Sequence, residues 1–124
     1  MSAILLSDDL MFTSRITGIG RDLGLSVISA RSARALLDLA KRQSPTCVIV
    51  DLANESLDLS ALIGELVELP PRPRVVAYGS HVDAAALQAA RAAGCDVVLP
   101  RSKFVEELPF ALPRWLAPTG ETGV

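Results

Sequence analysis

The chain has 124 residues, half of them apolar, and a formal net charge of -2 at pH 7. That suits one domain with enough apolar surface for its own core, and it leaves no clustered basic face of the kind a phosphate backbone needs, so no nucleic acid partner is expected. The N-terminus lacks a basic segment and its apolar run is broken by Asp8, which argues against a signal peptide or a membrane span and for a cytoplasmic chain without a membrane partner.

Residues 3–7 (AILLS) are a short apolar run that reads as a buried strand. The next stretch sets Phe12, Ile16, Ile19 and Leu23 on one helical face, with Thr13 or Ser14 as the cap and Gly24 as the end, while Gly18 and Gly20 weaken it locally. Residues 25–30 (LSVISA) are strand-like. Ser32 then caps ARALLDLAKRQ, whose buried stripe is Ala33, Leu36, Leu37 and Ala40, and Pro45 ends the connection. TCVIVDL, 46–52, is the most strand-like run, β-branched and apolar. A polar loop, LANESLDL, follows, in which Glu55 and Asp58 read as solvated charges. SALIGELVEL, 60–69, is a third amphipathic helix stopped by PPRP. RVVAY, 74–78, is a strand and GSHV a loop; Asp83 caps DAAALQAARAA, and Gly94 closes it. DVVLP, 96–100, is the fifth strand. Ser102 starts a last helix, KFVEELPFALPRWL, which Pro109 and Pro113 must kink or shorten and which Phe110 and Trp115 pack onto the sheet. Residues 118–124 are a tail, leaving 1–117 as the domain. Cys47 and Cys95 have strand-like neighbours and no C-x-x-C spacing, so they read as buried free thiols of a reducing compartment.

Strands alternating with helices predict an α/β fold: a (βα)5 flavodoxin-like, doubly wound parallel sheet in the order 2-1-3-4-5. The functional crevice of such a sheet lies at the carboxyl ends of its strands, beside the first and third. The residues there are Asp8 and Asp9 after the first strand, Asp51 after the third, Gly79, Ser80 and His81 after the fourth, and Arg101 and Lys103 after the fifth. Asp8, Asp9 and Asp51 converge from adjacent strands in this order, and gathered carboxylates need a cation. Oxygen-only ligands favour Mg2+. Ser80 can donate a hydrogen bond to an anion, and Arg101 or Lys103 can supply positive charge. Simpler roles stand beside these: Asp8 and Asp9 as loop residues or a helix cap, Ser80 in loop hydrogen bonding, and His81 and Arg101 at the surface.

Taken together, LLSDDLM, VIVDL, Asp58 seven residues after Asp51, and AAGCDVVLP resemble the receiver domain of two-component response regulators over residues 2–117. The resemblance implies that Asp51 accepts a phosphoryl group from a phosphohistidine on a sensor histidine kinase or phosphotransfer protein. It implies that Asp8, Asp9, Asp51 and the Ala53 carbonyl hold Mg2+. It further implies a stand-alone signalling domain of a phosphorelay, not an enzyme, acting on a downstream protein partner and offering its fourth helix, fifth strand and fifth helix as a homodimer or partner face. The alanine-rich fourth helix suits close approach. The chain departs from the family pattern at several positions. An ungapped count puts Gly79 where a Thr or Ser is usual, with Ser80 one position late. Arg101 and Ser102 replace Lys-Pro, Val98 replaces an aromatic, and Leu59 replaces the Gly after Asp58. They keep open a second reading, a pseudo-receiver adaptor that binds partners without phosphorylation. A flavin- or nucleotide-binding enzyme is opposed by the lack of G-x-G-x-x-G, P-loop and nucleophile–base pair, and by acidic residues where an anion would sit.

Overall fold

The computed structural model describes residues 2–54 and 57–118; Glu55 and the tail from residue 119 lie outside the described residues. The elements alternate as β1 (Ser2–Leu6), α1 (Leu10–Asp22), β2 (Ser26–Ala30), α2 (Ala33–Gln43), β3 (Cys47–Asp51), α3 (Leu59–Leu66), β4 (Arg74–Gly79), α4 (Ala84–Ala93), β5 (Val97–Pro100) and α5 (Arg101–Leu116). The sheet is parallel throughout with the order β2-β1-β3-β4-β5, as the sequence predicts. β3 is central and buried at every residue, which is why its sequence shows no polar alternation until Asp51.

Side chains alternate between two cores. Ala3, Leu5, Cys47, Ile49, Val76 and Tyr78 pack with Ile16 of α1 and with the stripe Phe104, Leu108, Ala111, Leu112, Trp115 and Leu116 of α5. Ile4, Leu6, Val48, Val50, Val75 and Ala77 pack with α2, α3 and α4. By that alternation Ser7 and Asp51, at the ends of β1 and β3, share the α1/α5 face with Tyr78.

Ser32 and Asp83 cap α2 and α4, and Gly94 closes α4 at φ 104°, as expected. The cap of α1 is Asp9, not Thr13 or Ser14. Its extended backbone lets the carboxylate accept from the Phe12 amide at 3.0 Å, so the helix starts a turn earlier. Asp58, read as a solvated charge, is the cap of α3 and accepts from the Ala61 amide at 3.1 Å. α3 ends at Leu66, short of the expected Leu69. Pro109 and Pro113 do not shorten α5, which runs unbroken from Arg101 to Leu116. Each interior proline costs about 3 kcal/mol in an isolated helix, but both are exposed while the apolar stripe stays packed on the sheet. Trp115 is buried as expected; Phe110 is not a packing residue, being 80% exposed. Both cysteines are free, Cys47 buried and Cys95 only partly so. Among the described residues no helix is long and apolar enough to cross a membrane.

Candidate functional site

The pairing of Leu6 with Val50 sets the next residues, Ser7 and Asp51, side by side at the carboxyl end of the sheet. Ser7 Oγ donates to Asp51 Oδ2 at 2.8 Å and accepts from the Asp9 amide at 3.1 Å. The other oxygen, Oδ1, accepts from the Ala53 amide at 2.9 Å and lies 3.9 Å from a terminal guanidinium nitrogen of Arg101. Asp51 is 1% exposed, and a buried carboxylate persists only with such partners. Arg101 opens α5 and lies over the Phe12 ring, 5.4 Å from its centroid. Its side chain is 41% exposed, so its ion pair with Asp51 is loose and screened.

Tyr78 pairs with Asp51 in the β3–β4 register. Its ring stacks on Phe104 at 4.5 Å and tilts against Phe12 at 5.1 Å; Phe104 in turn stacks on Trp115 at 5.7 Å. The Tyr78 hydroxyl lies beside Ser7 and Asp51 but meets hydrogen-bond geometry with neither. Burial first, and then the Asp51 charge, push its phenol well above the ordinary value, outweighing the opposing effects of Ser7 and Arg101.

The expected site residues are placed unevenly. Asp51 and Arg101 meet; Lys103 is exposed on the first turn of α5. Ser80 is exposed, and its hydroxyl accepts from the Val82 amide at 3.3 Å within its own loop. It also lines a cleft of about 500 Å³ beside Phe12, together with Arg15, His81, Arg101 and Ser102. Gly79 ends β4, where a Cβ would lie 3.3 Å from Leu52 Cβ. Asp8 and Asp9 are exposed at the same sheet end as Asp51, but the acids are not drawn into one group. Among the described residues no cluster of three His, Cys, Asp or Glu side chains is arranged to hold a metal ion. Ser7, not Asp8, takes the position facing Asp51, and Asp9 is engaged in capping α1. The donor chemistry still fits a hard divalent ion, which accepts one or two carboxylates and keeps several waters.

Ser7 and Tyr78 are the site residues that sequence reasoning missed. Their signals are faint: a serine ending ILLS in the same parity as Ala3 and Leu5, and the single tyrosine of the chain ending VVAY.

No family model matches the chain. A response regulator receiver protein of Anaeromyxobacter sp. strain Fw109-5 is 28% identical over 113 residues, covering 91% of this chain and 44% of that protein, so the chain spans less than half of that relative. Among solved structures, the receiver domain of NtrX from Brucella abortus matches with a TM-score of 0.78 at 21% identity, over 93% of this chain and 98% of that one. A response regulator from Thermotoga maritima matches with a TM-score of 0.77 at 16% identity, over 94% and 97%. The chain thus has the fold of these response-regulator receiver domains, and the resemblance read from its motifs extends to a receiver protein in sequence.

Proposed function

We propose that this chain is a receiver module in which Asp51 accepts a phosphoryl group. The observation that carries the reading is the Asp51 carboxylate at the end of the central strand, with Arg101 at 3.9 Å and two exposed acids on the neighbouring strand end. An Asp51 oxygen forms the new P–O bond as the P–N bond to a donor phosphohistidine breaks, and the imidazole leaves. Phosphoryl transfer asks mainly for positioning and charge neutralisation. Ser7 and the Ala53 amide hold the carboxylate, and Arg101 offsets charge on the phosphoryl oxygens once it swings off Asp51. Mg2+ would be held by Asp8, Asp9, Asp51 and the Ala53 carbonyl only once the two exposed acids turn toward Asp51, and it would then supply further charge neutralisation at the acceptor. The donor would be a sensor histidine kinase or phosphotransfer protein in the cytoplasm. The output would be a changed affinity for a protein partner or a second copy through α4, β5 and α5, where Ala84, Ala85 and Ala89 are exposed.

The test is incubation with Mg2+ and a small phosphodonor, followed by intact mass. Wild type gains one phosphoryl group and Asp51→Asn gains none. No gain by wild type, or gain by Asp51→Asn, overturns the proposal. The first result would leave the adaptor reading.

A further inference from the structure

The site contains a hydroxyl that the chain's own contacts leave unused. Tyr78 is 0% exposed, and its hydroxyl has no hydrogen-bond partner. A phenylalanine would fill the same ring position between Phe12 and Phe104 without burying an unpaired polar group. The ring is held by those two contacts, at 5.1 Å and 4.5 Å, so the hydroxyl is kept beside Asp51 and Ser7 instead of turning toward water. Asp51 itself does not need it, since Ser7 and the Ala53 amide already donate to its two oxygens.

We infer that Tyr78 is a hydrogen-bond donor held ready for the oxygens of a phosphoryl group on Asp51, an inference that rests on the proposed phosphoacceptor role. A phosphoryl group brings three strong acceptor oxygens to a place where the acceptors are now saturated. A phenol carries its proton at neutral pH and offers one O–H to an acceptor. It therefore acts as a donor and not as a base, and no covalent bond to Tyr78 forms or breaks. Gly79, the last residue of β4, has no side chain to offer; Tyr78 supplies a hydroxyl from one position earlier, on the α1/α5 face.

The test uses beryllofluoride, a tetrahedral mimic of a carboxylate-bound phosphoryl group, with Mg2+, followed by fluorine NMR on the full chain and on Tyr78→Phe. Wild type should show bound fluorine resonances. Tyr78→Phe should bind about tenfold more weakly, the effect of one hydrogen bond to a charged group, and at least one bound fluorine resonance should move. The free variant should melt at or above the wild-type temperature, because only an unpaired hydroxyl is lost. Equal affinity with an unchanged fluorine spectrum overturns the inference and leaves the phosphoacceptor reading intact. A free variant melting several degrees lower also overturns it, since the hydroxyl would then already be bonded. Failure of wild type to bind beryllofluoride instead removes the Asp51 reading, and the Tyr78 role with it.

Discussion

Ser7→Ala tests whether the residue facing Asp51 holds it in place. The substitution removes the Oγ that donates to Asp51 Oδ2 at 2.8 Å and accepts from the Asp9 amide at 3.1 Å. A buried hydrogen bond to a charged group contributes about 1.5–3 kcal/mol. The carboxylate retains the Ala53 amide at 2.9 Å and Arg101 at 3.9 Å. It also sits at the sheet end, where water can enter the space left by Oγ and satisfy both broken partners in part. The lower part of the range applies, about 2 kcal/mol, which in a domain of this size lowers the melting temperature by about 6–10 °C. Urea denaturation of Ser7→Ala, Asp51→Asn and the double variant, followed by circular dichroism, isolates the pair; their coupling should be about 1.5 kcal/mol. A Ser7→Ala midpoint indistinguishable from wild type, or a coupling near zero, would refute the view that Ser7 anchors the carboxylate.

Two glycines of α1 should respond in opposite directions to alanine. At Gly20 a Cβ would lie 2.7 Å from Val27 Cγ2, and the overpacking, about 1–3 kcal/mol, exceeds the gain in helix propensity of about 1 kcal/mol. At Gly18 a Cβ meets nothing within 4 Å, so the propensity gain should appear as a higher urea midpoint; a midpoint raised equally at both positions would contradict the α1–β2 packing. The thiols set an alkaline limit: burial pushes Cys47 up to about 12 and Cys95 up to about 11, from an ordinary 9.0. The folded state keeps protons that the unfolded chain loses, so this stability is complete below about pH 9 and declines above it, by about 1.4 kcal/mol per pH unit for the buried Cys47 thiol and by less for the partly exposed Cys95. Urea midpoints measured under reducing conditions from neutral pH to about 10.5 should show the fall. Cys47→Ala should make it shallower, and an unchanged slope would mean that the Cys47 thiol ionises as readily folded as unfolded.

The elements were legible because their signals are local. Ser32, Asp83 and Gly94 could be assigned from the chain alone, since a cap acts on amides or carbonyls within one turn. Where several local candidates compete, the same reasoning loses its grip. Asp9, Thr13 and Ser14 can all cap, and the point at which β1 releases the chain selects Asp9. The prolines of α5 show the converse, a valid local penalty overridden by six apolar residues packed on the sheet. Phe110 has the composition of a core residue but falls on the opposite face of that helix.

The sequence by itself determined the alternation of strands and helices, the parallel sheet and the placing of Asp51 at the end of its central strand. A β-branched apolar run such as VIVD, short and bounded by loops, suits a strand buried on both faces. Only the tertiary structure decided what meets that carboxylate. A shift of one residue between β1 and β3 would turn Ser7 away and bring Asp8 toward Asp51, and nothing in either strand read singly distinguishes the two. The pairing of Leu6 with Val50 is set by the simultaneous burial of both sheet faces under α1, α5 and the opposite helices. The same long-range packing, through Phe12 and Phe104, holds the Tyr78 hydroxyl beside the site.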